Sequence, residues 1–303
     1  DAFTLGSQSW KITKIDHQKI EVVPWRGPVK IQPFWKGETV NRDSHYSLKI
    51  AEFLQMCSAR HNDPGLQSDL AKGYSLSEDA AEALVSYISH QRASTHADIP
   101  HRRHLLIEHS FDPATAGEFE KIFVHTLWGN QVNYPLSLAL AALFERDHFP
   151  VEVMSDNELI MLQVPNDDLY DSGVPGTTGV AVADIIAAID PSEIDGLVRQ
   201  QLERGGYFGA RFRENAGRAL LLPRSGAGRR TPLWVNRLKA KRLMESVSGY
   251  RDFPILVETW RTCIQDEFEL DELKRLLQEV ADGEITMSEI ATEAPSPFAE
   301  GSV

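Results

Sequence analysis

Cysteine is nearly absent: Cys57 and Cys263 are the only two in 303 residues, which excludes a disulfide framework and a cysteine-built metal site. Both lie in apolar, helix-like segments, where a buried free thiol is the expectation. Long hydrophobic runs are also missing. The longest, Leu136 to Phe144, falls well short of the ~20 residues of a membrane-crossing helix, and the N-terminal residues lack a charged-then-apolar leader layout. No membrane partner and a cytoplasmic location are expected. No Gly-x-x-x-x-Gly-Lys-Ser/Thr occurs, Gly226-x-Gly228 lacks the third glycine of a dinucleotide fingerprint, and there is no Asp-Glu-Ala-Asp or Asp-Glu-x-His string. ATP hydrolysis needs such groups to hold Mg²⁺ and the γ-phosphate, so the chain itself is expected to hydrolyse no ATP and to carry no cofactor.

What is present is a soluble, globular balance of 42% hydrophobic and 25% charged residues, unlike a disordered or collagen-like chain. The net charge of −13 speaks against wholesale wrapping of nucleic acid, yet it is unevenly spread. Between Arg199 and Arg242 stand twelve Lys/Arg and two acids, Glu203 and Glu214, a local +10 that leaves −23 for the rest.

In chain order, Trp10 to Ile15 and Lys19 to Val23 read as strands around the Asp16-His17-Gln18 turn, and so early a strand is expected of a piece of a longer polypeptide. Pro24 to Gly37 reads as a loop presenting Trp25, Phe34 and Trp35. Ser44 is placed to cap a helix with Ile50, Phe53, Leu54 and Cys57 on one face, and Ser75 or Ser77 to start a second through His90. Strands follow at His104 to His109 and Lys121 to Trp128, then a helix opened by Pro135, a hairpin of Val151 to Met154 with Leu159 to Val164, and short helices near 180–188 and 192–203. The fold class is α+β: a mixed, mainly antiparallel or barrel-like sheet with flanking helices. Domains are expected at 1–170 (strand hairpin, aromatic loop, α+β body) and 171–290 (basic, helix-rich). A flexible tail is expected at 291–303, on its Pro, Ser and Ala content.

In Gly205 to Arg213 and Pro223 to Arg230, arginines alternate with glycines and aromatics. Glycine permits close backbone approach to phosphate, arginine pairs with phosphate oxygens, and rings offer stacking faces, a combination suited to single strands. Arg211, Arg213, Arg229 and Arg230 are candidate contacts. Thr231-Pro232 then starts a helix whose Leu233, Ala240, Leu243, Met244 and Val247 share one side, with Arg237, Lys239, Lys241 and Arg242 on the other; a merely solvated basic face is the competing reading. Trp35, beside Lys36 in a proline- and glycine-bounded loop, is either a stacking platform or a packed anchor. His101, His104, His109 and His125 raise a metal site. His104 and His109, five apart on a strand, face opposite sides, and no further ligands are evident, so no metal is expected. The acids from Asp266 to Glu269 read as solvation of a helix end.

Five ordered segments carry a resemblance: Phe3 to Ile12, Pro33 to Gly37, His125 to Asn133, Arg204 to Ala216 and Tyr250 to Arg261. Together they resemble the region that follows the motor in Lhr-family superfamily 2 helicases. In that family two ATPase motor domains and a winged helix precede this domain, and the assembled core moves 3′ to 5′ on single-stranded DNA, with a preference for RNA:DNA hybrids. The resemblance implies an accessory domain that closes the strand channel against the motor, with Trp35 stacking on a base and Lys36 beside it. It places ATP and Mg²⁺ in the motor domains of the parent. Two alternatives from other classes are a stand-alone nuclease or glycosylase, using the histidines and Asp266 to Glu269, and a protein-interaction scaffold without DNA contact.

Overall fold

A computed structural model describes residues 2–5, 8–15, 20–25, 41–111, 119–146, 151–165, 179–222, 233–250 and 252–302. In chain order its elements are β1 (Ala2–Leu5), β2 (Gln8–Ile15), β3 (Ile20–Pro24), α1 (Ser44–Ala59), α2 (Leu66–Gly73), α3 (Glu78–Thr95), β4 (His104–Phe111), β5 (Phe119–His125), α4 (Asn130–Arg146), β6 (Glu152–Ser155), β7 (Leu159–Pro165), α5 (Val182–Ala187), α6 (Ile194–Leu202), α7 (Gly206–Arg218), α8 (Leu233–Val247), α9 (Pro254–Arg261), α10 (Leu270–Ala281) and β8 (Thr286–Thr292). The class is α+β as expected, and its sheets are open: β1-β2-β3 forms one, and β6-β7-β5-β4-β8 the other, antiparallel except where β4 meets β8. The barrel-like alternative is not realised.

The chain divides by its contacts into two compact units, 1–40 with 205–260, and 41–204 with 261–303. This interleaved split differs from the linear boundary expected near 170, a stretch that itself lies outside the described residues. In the larger unit the central strands are buried on both faces: Leu105, Leu106 and Ile107 of β4 and Ile122, Phe123 and Val124 of β5 are fully inaccessible. Such strands read as continuous apolar runs rather than alternation. Helices α1 to α3 bring Ala51, Leu54, Cys57, Leu66, Leu70, Ala81 and Ile88 to a second cluster with Ile99 and Leu127. Both cysteines are buried.

Three local expectations shift. Asp43, not Ser44, caps α1, its Oδ1 accepting from the Tyr46 amide at 2.9 Å, while the Ser44 amide donates to Glu269 Oε2. Helix α4 begins at Asn130, five residues before Pro135. Its start is held by Asn157 Oδ1, which accepts from the Asn130 amide. Proline has no N–H to give the Gln131 carbonyl one turn back, and the Glu269 amide, far along the chain, donates to that carbonyl instead at 3.0 Å.

The third shift corrects the expected flexible tail. Residues 291 and 292 belong to β8, and Ser296 and Ala299 are buried. Tyr87 donates to the Pro297 carbonyl, and Gln91 both donates to Ser296 Oγ and accepts from the Phe298 amide. Composition suggested looseness because these partners on α3 lie about two hundred residues upstream.

Candidate nucleic-acid interface

Of the described residues in the basic stretch, 206–218 and 233–242 lie in helices of the smaller unit. Residues 206–218 form α7, so the glycines of this segment are helical rather than loop positions, and Tyr207, Phe208 and Phe212 are buried. That corrects the expectation of exposed stacking rings. A three-to-four-residue spacing of aromatics in a helix makes a core-facing stripe, and Phe208 packs against Trp260 of α9 at 4.9 Å between centroids.

The cations take the remaining faces. Arg211 is half-buried, with NH1 on Glu214 at 2.8 Å and its guanidinium 5.3 Å from the Tyr207 ring centroid. Arg213 is also half-buried. Burial and the positive charge of Arg237 on the neighbouring α8 hold Arg213 below its ordinary value, with Glu214 opposing. On α8 the apolar stripe falls where its spacing placed it: Ala240 and Val247 are buried and Leu243 and Met244 half-buried, while Arg237, Lys239, Lys241 and Arg242 are exposed. Lys241 makes a loose pair with Glu245 at 3.9 Å. Among the described residues neither Arg213 nor Arg237 forms an ion pair. Trp35, Lys36, Arg229 and Arg230 lie outside the described residues.

In the larger unit, the histidines serve the sheet. His104 and His125 are on one face and His109 on the other, following strand register. His104 bonds the Ile99 carbonyl through Nδ1 and Ser288 through Nε2. His125 bonds the fully buried Glu108, whose carboxylate also accepts from Ser296 N, Ser296 Oγ and Thr292 Oγ1.

His109 is held from both sides, Nδ1 to Glu120 Oε1 at 2.6 Å and Nε2 to Glu289 Oε1 at 2.7 Å. An imidazole facing two carboxylates donates from both nitrogens only as the cation. Burial on its own pulls His109 down, but the bonds and charges of Glu120 and Glu289 overcome this and raise it to about 9. Glu289 also accepts from the Val182 and Ala183 amides at the start of α5, tying β4, β5, β8 and α5 together.

Among the described residues no group of three or more His, Cys, Asp or Glu is arranged to hold a metal ion. Asp266 pairs with Arg261, and Glu269 accepts from the Ser44 amide at the start of α1, so each of these acids has its own structural partner. The sequence reading missed Glu108, Glu120 and Glu289. Their His partners stand 11 to 180 residues away, and a lone glutamate in an apolar strand was the available signal.

A family model described as DEAD/H associated matches residues 99–299. The chain belongs to this family. Over 99% of its length, this DEAD/H associated chain is 33% identical to "Lhr helicase/uracil glycosylase" of Escherichia coli, covering 18% of that protein, and 32% identical to "Lhr helicase/ probable uracil glycosylase" of Mycolicibacterium smegmatis, covering 19%. It is 27% identical to "ATP-dependent helicase Lhr-Core" of Methanothermobacter thermautotrophicus, covering 33% of it. The chain thus spans about a fifth to a third of the length of the relatives it matches. A solved structure described as Mycobacterium smegmatis helicase Lhr bound to ssDNA and AMP-PNP superposes over 91% of this chain and 33% of that one, with a TM-score of 0.75 at 27% identity. No described helix is long and apolar enough to cross a membrane.

Proposed function

We propose that this chain is the strand-gripping accessory domain of an Lhr-type, ATP-dependent 3′ to 5′ DNA helicase, working in the cytoplasm. It holds single-stranded DNA, or the DNA of an RNA:DNA hybrid, so that the motor's ATP cycle becomes strand movement. ATP and Mg²⁺ belong to the motor domains of the parent polypeptide, which with the winged helix are the partners of this domain.

The observation that carries this reading is the like-charge pair across α7 and α8. Arg213, half-buried on α7, is held below its ordinary value first by burial and then by the charge of Arg237, which the charge of Glu214 opposes without cancelling. Holding two guanidinium groups so costs free energy unless an anion joins them, and a phosphate oxygen suits guanidinium geometry. Lys239, Lys241 and Arg242 continue the positive face along α8. Trp35 and Lys36 add a base platform and a phosphate contact, on the family resemblance.

The test reverses the exposed charges, which leaves the core untouched: Arg237→Glu, Lys241→Glu and Arg242→Glu combined. Each phosphate contact on a single strand contributes about −0.7 to the log-log slope of affinity against salt. The triple variant should therefore bind oligo(dT) more weakly, with a slope flatter by about 2. Unchanged affinity and slope would leave α8 as a solvated face and sink the assignment.

A further inference from the structure

The small sheet carries a second grouping of aromatic and cationic side chains. In the β2–β3 pairing, Lys11 stands opposite Val23 and Ile12 opposite Val22, and the register then shifts so that Lys14 stands opposite Glu21. Directly opposed residues share a face, as do alternate residues along a strand. Lys11, Val23 and, two residues on, Trp25 therefore lie on one side. Three residues after Lys11, Lys14 would point the other way in a regular strand. The bulge at Thr13 brings it to the Lys11 side, the re-aiming such irregularities produce.

This face is open to solvent. Lys11, Lys14 and Glu21 are exposed, Val23 is 43% exposed, and Trp25 is half-buried. Lys11 Nζ lies 4.5 Å from the centre of the Trp25 ring. Glu21 is the one carboxylate among these residues, against two ammonium groups.

We infer that this face is a second contact for single-stranded nucleic acid: a base stacks on Trp25, and Lys11 and Lys14 take the flanking phosphates. The ammonium over the indole is replaced by the π-face of a base, and Lys11 turns to a phosphate oxygen, exchanging a cation–π contact for a charge pair. Stacking on an exposed sheet is sequence-tolerant because every base has a π-face. The inference rests on the strand-gripping reading but uses residues on different elements from α7 and α8.

The test uses the whole 303-residue chain and fluorescein-labelled oligo(dT), with thermal unfolding measured on every variant. Trp25→Ala should weaken binding about fivefold or more, and Trp25→Phe should keep most of the affinity. Lys11→Gln should flatten the salt slope by about 0.7. Loss in these variants and in the α8 triple supports both sites. Loss in the α8 triple alone overturns the sheet site and leaves α8 standing, whereas loss in the sheet variants alone does the reverse. A wild-type chain that does not bind overturns both. Unfolding of Trp25→Ala together with weak binding by a folded Trp25→Phe would make Trp25 a packing residue and overturn the sheet site.

Discussion

His109 and Gly129 show how far single positions in the larger unit are constrained. Because His109 is raised to about 9 from an ordinary 6.5, the folded state binds a proton that the unfolded state releases earlier. Its contribution is full below about pH 6.5, declines above that, and is gone once pH has risen through about 9, at most about 3 kcal/mol. Urea unfolding of wild type and His109→Gln from pH 6 to 10 should show a gap that closes with rising pH; a constant gap would mean a neutral imidazole. Gly129 has φ +84°, and a Cβ there would meet the Arg42 carbonyl and Ser47 Oγ, each at 2.5 Å. Ser47 Oγ is fixed by its bond to the Asp43 carbonyl, and the Arg42 backbone by the bond of its amide to Asn157 Oδ1. Gly129→Ala should therefore cost roughly 2–4 kcal/mol, the sum of left-handed strain and overpacking, read as a lowered urea midpoint.

At the scale of elements, α7 separates what an arginine-, glycine- and aromatic-rich string suggests from what it does. The composition pointed to rings stacked on bases, yet helical periodicity sends Tyr207, Phe208 and Phe212 inward and leaves Arg211 and Arg213 at the edge. Phe208→Ala should accordingly cost about 3–5 kcal/mol of stability, while the fraction that remains folded binds oligo(dT) as wild type does. A stable Phe208→Ala with weakened binding would restore the stacking role. Helix α8 was legible in advance, because Ala240 and Val247 at seven-residue spacing define its inner stripe whatever it packs against. The start of α4 was not legible: Pro135 looks like an opening residue, and the amide that satisfies the Gln131 carbonyl comes from Glu269.

For the molecule as a whole, the proposed coupling predicts a division of labour at Trp35. Trp35→Ala should lower strand affinity by about 1–3 kcal/mol with little change in melting. In the full-length parent it should impair unwinding more than DNA-dependent ATPase, since a stacked base lies outside the phosphate chemistry. A strongly destabilised variant, or one that binds and unwinds normally, would remove that role. The sequence by itself determined the α+β class, the β2–β3 hairpin, the β6–β7 hairpin, the cations of α8 and the family, because these rest on periodicity, turn chemistry or ordered motifs close in the chain. Tertiary structure alone decided the interleaved units, the docking of residues 296–299 on α3, the carboxylates around His109 and His125, and the opposition of Arg213 to Arg237. Each of these joins residues distant in the chain or on separate helices, and a local pattern records which residues need partners without recording which distant groups will meet them.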